Sequence, residues 1–159
     1  MWRKSIFLLT AILIVVTDQF TKLWIKSSLL PGESYPTIGP LSITHIQNAG
    51  SAFGMFTNQT FLLTLSAVIG LIVIIFFYRR IAQYSLLASI SLGLVFGGAA
   101  GNLIDRLNLG YVTDFIYVHL WGDVFWPAFN IADSAITIGV IALLAFIIWG
   151  FKKEDVNTP

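Results

Sequence analysis

The 159-residue sequence contains no cysteine and little charge, since only 11% of its residues are charged whereas a soluble domain usually has about 25%. Without cysteine, the chain cannot form a disulfide, a thiolate nucleophile or a cysteine-ligated metal site. Nine Lys and Arg oppose eight Asp and Glu, so the formal net charge is only +1 and we expect no nucleic-acid partner. Hydrophobic residues make up 57% of the chain. This composition argues against a soluble enzyme and indicates a small polytopic membrane protein.

Four apolar stretches approach the roughly 20 residues needed to cross a hydrocarbon core about 30 Å thick. We therefore predict a mainly α-helical single membrane domain over residues 1–159, with transmembrane helices at about 5–25, 61–78, 86–104 and 131–151. The first stretch is unusual because Asp18 and Lys22 interrupt it. Its basic start could also belong to a cleavable secretory signal, but no A-x-A-like cleavage site follows, which favours a retained anchor.

The positions of the basic residues predict the orientation. One side of the membrane would carry Arg3, Lys4, Arg79, Arg80, Lys152 and Lys153, and the loops on the other side only Lys26 and Arg106. The positive-inside rule then places both termini in the cytoplasm and the loops of about 27–60 and 106–130 outside.

The outer loops contain patterns of their own. Apolar Leu41 and Ile43 alternate with polar residues, which predicts a short strand and a small extracytoplasmic β-sheet. Residues 48–54 are mostly small and predict a compact turn that leads back toward the membrane.

Four of the eight acidic residues fall at or near the outer ends of the predicted spans, where a carboxylate is costly unless it is paired, wetted or used. These four are Asp18, Asp105, Asp114 and Asp133. Two carboxylates that share a partly dry site repel each other, so one tends to keep a proton while the other ionises. An aspartyl peptidase needs this state for general acid and general base catalysis.

The neighbours of these acids have structural interpretations as well. Gly93, Gly97 and Gly101 recur every four residues and predict a face on which another helix packs closely. Asn102 and Asp105 follow near this face and would point into the bundle, with Arg106 as the counter-ion of Asp105. Asn130 and Asp133 precede the fourth span, where one of the two could cap the helix.

Two other hydrolytic mechanisms find no support in the sequence. His45 and His119 stand alone without the H-E-x-x-H spacing of a zinc peptidase, and we expect each in a loop or at an interface. A serine hydrolase is disfavoured because no G-x-S-x-G occurs. We therefore expect neither a metal nor another cofactor.

Five segments of the chain resemble, in order, the five sequence blocks of the lipoprotein signal peptidases, also called signal peptidase II. Any single block would be weak evidence, but five in order in a four-span chain of this length form a specific signature. The segments are DQFTK at 18–22, NAGSAF at 48–53, GGAAGNLIDR at 97–106, VTDF at 112–115 and FNIADS at 129–134.

The resemblance implies a multi-pass aspartyl endopeptidase of the bacterial cytoplasmic (inner) membrane, with its active site at the extracytoplasmic face. It would cut the signal peptide from prolipoproteins just before a cysteine that carries diacylglycerol. We also expect the chain to contact membrane lipid and to work as a monomer. The catalytic pair would be Asp114 and Asp133. Supporting residues would be Asn48, Asn102, Arg106 and Asn130 lining the site, and Asp18, Lys22 and Asp105 holding a polar network together.

Two other classes of function remain open from the residues. A proton- or cation-coupled carrier also uses intramembrane carboxylates beside a lysine, although here all four acids gather at one face. An accessory membrane subunit would use the same polar residues only to hold its helices together.

Overall fold

The computed structural model describes residues 2–36, 39–50, 59–81, 85–121 and 124–155. Within these ranges the fold consists of four long helices and one four-stranded sheet. The helices are α1 (Trp2–Ser28), α2 (Thr60–Ile81), α3 (Leu86–Leu109) and α4 (Ile131–Asp155). The strands are β1 (Ser34–Tyr35), β2 (Leu41–Asn48), β3 (Val112–Trp121) and β4 (Val124–Phe129).

The predicted architecture of four apolar helices is confirmed, because each of the four helices contains a segment that is long and apolar enough to cross a membrane. These segments are Ser5–Ser28, Thr60–Tyr78, Leu86–Leu109 and Ile131–Ile148. The third was predicted too short. It continues to Leu109 and ends at Gly110, whose positive φ of 79° suits glycine and whose N–H donates to the carbonyl oxygen of Arg106. Arg106 therefore belongs to a helix and not to the following loop.

Helix α3 lies in the middle of the bundle and packs against the other three helices. The predicted small-residue face packs against α1: a Cβ added at Gly97 would lie 2.7 Å from the carbonyl oxygen of Ala11. Gly98 makes a second close approach, to α4, where an added Cβ would lie 2.8 Å from Cγ1 of Ile136. Glycine at these positions lets three helix backbones come close together.

Many apolar helical side chains point outward, among them Leu9 (65% exposed), Phe61 (76%) and Ile148 (66%). Such a surface suits a hydrocarbon solvent, because it gains nothing from burial inside the protein when lipid surrounds it. The buried apolar core is correspondingly small and is built around Phe7 and Leu92, with Phe7 stacked on Tyr78 at a ring-centroid distance of 4.6 Å.

The predicted small sheet is confirmed, and β2 begins at Leu41. Its strands pair antiparallel in the order β1-β2-β3-β4. By connectivity the sheet lies at the end of the bundle where α1 and α3 finish and where α2 and α4 begin. Ile46 pairs with Asp114 in the β2–β3 register, so Asn48, two residues further along β2, lies on the same face as Asp114.

The structure bears on two predictions about the loops, the turn over residues 48–54 and the places of the two histidines. Most of the predicted turn over residues 48–54 lies outside the described residues, which resume at Gln59. Of the two places predicted for His45 and His119, a loop or an interface, the loop is excluded because they occupy β2 and β3. His45 is buried, with Nδ1 2.9 Å from the carbonyl oxygen of Leu29, and His119 stacks on Phe125 at 4.4 Å.

Candidate active site

The start of α4 is held by two residues that cap each other. Oδ1 of Asn130 accepts the N–H of Asp133 at 3.0 Å, and Oδ2 of Asp133 accepts the N–H of Asn130 at 3.2 Å. This reciprocal pair is a capping box. The sequence indicated that one of the two residues could cap the helix, and in the structure both take part in the cap. The box fixes the Asp133 carboxylate at a helix N-terminus, where the helix dipole stabilises negative charge.

The second carboxylate, Asp114, lies on β3 and is 1% exposed. Its Oδ1 accepts a hydrogen bond from Nδ2 of Asn130 at 2.7 Å, and its Oδ2 accepts one from Nδ2 of Asn48 at 2.8 Å. Burial raises the pKa of Asp114 to about 7, and the nearby charge of Asp133 adds to the rise, while the two amide hydrogen bonds and the charge of Lys22 oppose it. Asp114 can therefore hold a proton near neutral pH.

The two carboxylates belong to one network. Asn130 joins them, because its side chain donates to Asp114 while its backbone N–H donates to Asp133. The remaining oxygen of Asp133, Oδ1, accepts from Nδ2 of Asn102 at 2.7 Å. All four carboxylate oxygens thus accept an N–H group. Since these groups cannot accept the proton of a carboxylic acid, that proton is directed toward the other carboxylate, a water or a substrate.

A buried cluster of charges lies behind the pair. Nζ of Lys22 lies 2.9 Å from Asp18 and 3.3 Å from Asp105, and it donates to Oδ1 of Asn102 at 2.8 Å. Lys22 and Asp18 are both 0% exposed, and Asp105 is 2% exposed. The structure corrects the predicted pairing of Asp105 with Arg106, because Lys22 from α1 is the counter-ion. Adjacent residues of a helix point about 100° apart, so Arg106 faces a different direction from Asp105.

This charged cluster also ties α1 and α3 to the elements that carry the carboxylates. Asp18 on α1 accepts the backbone N–H of Ala132 at 3.0 Å, which binds α1 to the first turn of α4. Asp105 on α3 accepts the backbone N–H of Thr113 at 2.9 Å, directly before Asp114 on β3. Each member of the pair is therefore positioned by a buried acid on a neighbouring element.

A cavity of about 610 Å³ opens beside the pair. One part of its wall is polar and consists of Asn48, Asn102, Arg106, Asp114, Asp133, Ser134 and Thr137. The other part is mainly apolar and consists of Gly50, Val112, Trp126, Pro127, Ala128, Phe129, Ile136 and Ile138. An apolar cavity with a few convergent polar groups is typical of a ligand site. Arg106 lines the same cavity as the two carboxylates, and its charge interacts with those of Asp133 and Asp114.

The structure brings together all nine residues singled out from the sequence, but not all in the predicted place. Asn130 is 0% exposed and is absent from the described cavity wall, so it lies behind the two carboxylates rather than lining the site. Asp18, Lys22 and Asp105 form the expected polar network. Within the described residues, no group of three or more His, Asp or Glu is placed to hold a metal ion.

Two parts of the site were missed by sequence reasoning. Gln19 donates from Nε2 to Asp18 at 3.2 Å and to Asp105 at 3.1 Å, which joins two acids of the cluster. An amide beside Asp18 within an apolar span was the available signal. The apolar cavity wall from Trp126 to Phe129 follows from the pairing of β4 with β3, and the sequence offers no comparable signal for it.

Comparison with known proteins identifies relatives of similar length. The family model described as signal peptidase (SPase) II matches residues 10–149. The lipoprotein signal peptidase of Syntrophomonas wolfei is 41% identical over 147 residues, which cover 92% of this chain and 95% of the relative. That of Geobacillus thermodenitrificans is 43% identical over 157 residues and covers 98% of both chains.

A solved structure, described as a bacterial membrane enzyme determined by the in meso method at 2.3 Å resolution, has the same fold. It superposes with a TM-score of 0.82 and 37% identity, over 96% of this chain and 91% of that one. The resemblance based on the five sequence blocks is therefore confirmed. None of these relatives supports the carrier alternative.

Proposed function

Because the chain belongs to the signal peptidase II family, we propose that it is a membrane aspartyl endopeptidase that removes the signal peptide from prolipoproteins, just before a cysteine that carries diacylglycerol. The observation that carries this proposal is the pairing of Asp114 and Asp133. Both line one cavity, and Asn130 holds them together from behind.

The two carboxylates divide the chemistry between them. Asp114, buried and with a pKa of about 7, carries the proton and donates it to the carbonyl oxygen of the scissile bond. Asp133, at the helix N-terminus, takes a proton from the water whose oxygen attacks the carbonyl carbon. The carbon–nitrogen bond then breaks, the amine takes the proton from Asp133, and the proton of a hydroxyl on the tetrahedral carbon returns to Asp114.

The apolar part of the cavity wall suits this substrate class. Trp126, Phe129 and Ile138 offer apolar contacts beside the polar pair, so the apolar end of a signal peptide can remain in contact with hydrocarbon-like surface while its scissile bond reaches the carboxylates. The span of α4 begins at Ile131, two residues before Asp133, which supports a reaction at the membrane boundary where water and lipid meet.

We place this boundary at the extracytoplasmic face of the bacterial cytoplasmic (inner) membrane, because six of the nine Lys and Arg lie in the sequence beside the opposite ends of the spans. All the acids and amides that contact one another at the pair come from one chain, so the proposal needs no second subunit. Membrane lipid would contact the outward apolar side chains and the diacylglyceryl group of the substrate.

The test uses purified protein reconstituted in lipid with a diacylglyceryl-modified prolipoprotein. Asp114→Asn and Asp133→Asn should each lower the cleavage rate at least about a hundredfold, because each removes one of the acid–base groups. Glu33→Gln is the matched control, since the side chain of Glu33 accepts the N–H of Leu30 in a turn at the same end of the molecule and does not belong to the described cavity wall. Cleavage retained by either Asp variant would contradict the proposed pair.

A second measurement tests the metal-free chemistry. Cleavage should continue unchanged in the presence of EDTA. A complete block that added zinc reverses would show that a metal ion takes part, and the mechanism above would then be wrong.

A further inference from the structure

The three asparagines around the catalytic pair share an arrangement that sets the direction of their side chains. In each, the carboxamide oxygen accepts from a group that can only donate, and the carboxamide nitrogen then faces a carboxylate. The three donors are the backbone N–H of Gly50 for Asn48 at 2.9 Å, the backbone N–H of Asp133 for Asn130 at 3.0 Å, and Nζ of Lys22 for Asn102 at 2.8 Å.

Direction matters because a carboxamide can rotate by half a turn and exchange its oxygen for its nitrogen at little cost in shape. If Asn102 rotated in this way, its oxygen would face Oδ1 of Asp133, which it now contacts through Nδ2 at 2.7 Å. Two acceptors would then meet, and the ionised form of Asp133 would lose a donor. The group that fixes the oxygen of Asn102 therefore also controls whether Asp133 accepts a hydrogen bond from Nδ2 of Asn102.

Lys22 is the one side chain among the three fixing groups. An ammonium has three donors and no acceptor, and the buried Nζ of Lys22 lies within ion-pair distance of both Asp18 and Asp105. Asn130 also donates to the oxygen of Asn102, but at 3.2 Å, and its nitrogen makes a shorter bond of 2.7 Å to Asp114. The charged, shorter bond from Lys22 is the stronger of the two.

We propose that Lys22 is a positioning residue for the cleavage reaction, because it fixes the carboxamide of Asn102 with its nitrogen toward Asp133. Lys22 is fully buried and does not belong to the described cavity wall, so it acts through Asn102 and not on the substrate. This inference rests on the proposed function. It adds that Lys22 acts on Asp133 through Asn102, beyond holding the buried cluster together.

A double-mutant cycle separates this route from a general structural role. All proteins in the cycle carry Asp18→Asn, which balances the charge lost with the lysine, and this single variant is the matched control. In that background Lys22→Met should lower kcat/KM about tenfold or more, the expected effect of losing a hydrogen bond to a charged group. When Asn102→Ala is also present, the same Lys22→Met change should have less than about a twofold effect, because the carboxamide through which Lys22 acts is already absent.

Equal effects of Lys22→Met with and without Asn102 would overturn the proposal. If the methionine variant does not fold, Lys22→Gln in the same background replaces it. Glutamine can donate or accept, so it no longer fixes the direction of Asn102, and a similar loss is expected. Wild-type activity in a folded Lys22→Gln protein would likewise overturn the proposal.

A measurement on the unmodified protein tests the contact without relying on activity. The side-chain ¹⁵N resonance of Asn102, from Asn-labelled protein, should be a single signal that moves as the catalytic pair titrates, and it should lose this response in the Lys22→Gln protein. A resonance unchanged by that substitution would contradict the inference. Failure of the wild-type protein to cleave prolipoprotein would instead contradict the proposed function, so the two failures are distinguishable.

Discussion

The close packing of α3 against α4 at Gly98 predicts that a single methyl group on α3 will disable the site without contacting either carboxylate. A Cβ added at Gly98 would overlap the backbone carbonyl oxygen of Ala132 and would lie 2.8 Å from Cγ1 of Ile136. Elsewhere in a helix, Gly→Ala stabilises by about 0.5–1 kcal/mol. Here a backbone atom stands in the way and cannot rotate aside, so α4 must move, and overpacking of this kind costs about 1–3 kcal/mol.

The larger effect of Gly98→Ala should be on the reaction. Ala132 lies between Asn130 and Asp133 in the first turn of α4, so a shift of this turn displaces Asp133 relative to Asp114. A misplacement of about 1 Å can lower a rate about a hundredfold. We therefore expect a net destabilisation of about 1 kcal/mol together with a loss of cleavage that exceeds what the lost folded fraction explains.

The assay compares cleavage rate and thermal unfolding in the same detergent. Gly70→Ala is the matched control, because nothing lies within 4 Å of a Cβ added at Gly70 in α2. That variant should keep its cleavage rate and should unfold at the same or a higher temperature. Wild-type cleavage and stability in Gly98→Ala would refute the argument that α3 and α4 are held at minimal separation to position the pair.

Three further predictions concern charge and attachment. The pKa of Asp114 is raised from 3.8 to about 7, so the folded state binds the proton of this carboxyl more tightly than the unfolded state does. The stability that this proton contributes is complete below about pH 4 and is lost as the pH rises to about 7. The unfolding temperature should therefore decline over this pH range, and Asp114→Asn should flatten the decline. Arg106→Gln removes a positive charge that faces Asp114, which should raise the pKa of Asp114 further and move the alkaline limb of the cleavage profile to higher pH; an unmoved limb would contradict this. His45→Phe removes the contact with Leu29 and should lower the unfolding free energy by about 1 kcal/mol, while the folded protein still cleaves.

The membrane spans could be predicted from the sequence because hydropathy depends on composition along the chain and not on tertiary contacts. Their ends could not. The third span was predicted to end at about residue 104, before Asp105 and Arg106, but α3 continues to Leu109, until Gly110 adopts its left-handed conformation. A basic residue near the end of a helix is favourable there, so a charge alone does not mark where a helix stops.

The membership of the site was also predictable, but its pairings were not. Carboxylates at the ends of apolar spans are rare enough to be recognised individually. Their partners depend on which helix lies opposite, and for Asp105 the neighbour in the chain proved to be the wrong choice, since Lys22 is 83 positions away and in direct contact. In the same way, a capping role beside Asp133 could be predicted for Asn130, but the hydrogen bond that Asn130 also donates to Asp114 could not.

Lys22 forms its ion pairs with Asp18 and Asp105, and the proposed function gives a chemical reason why it should not contact Asp114 or Asp133 directly. A cation in direct contact with a carboxylate lowers its pKa by about 1–3 units, and a pair in which both acids ionise readily would lose the proton that the carbonyl oxygen needs. Neutral N–H donors hold Asp114 and Asp133 in place at a smaller electrostatic cost to that proton. One intervening asparagine, Asn102, therefore lets the buried Lys22 orient a hydrogen-bond donor toward Asp133, while Asp18 and Asp105 neutralise most of the charge of the lysine.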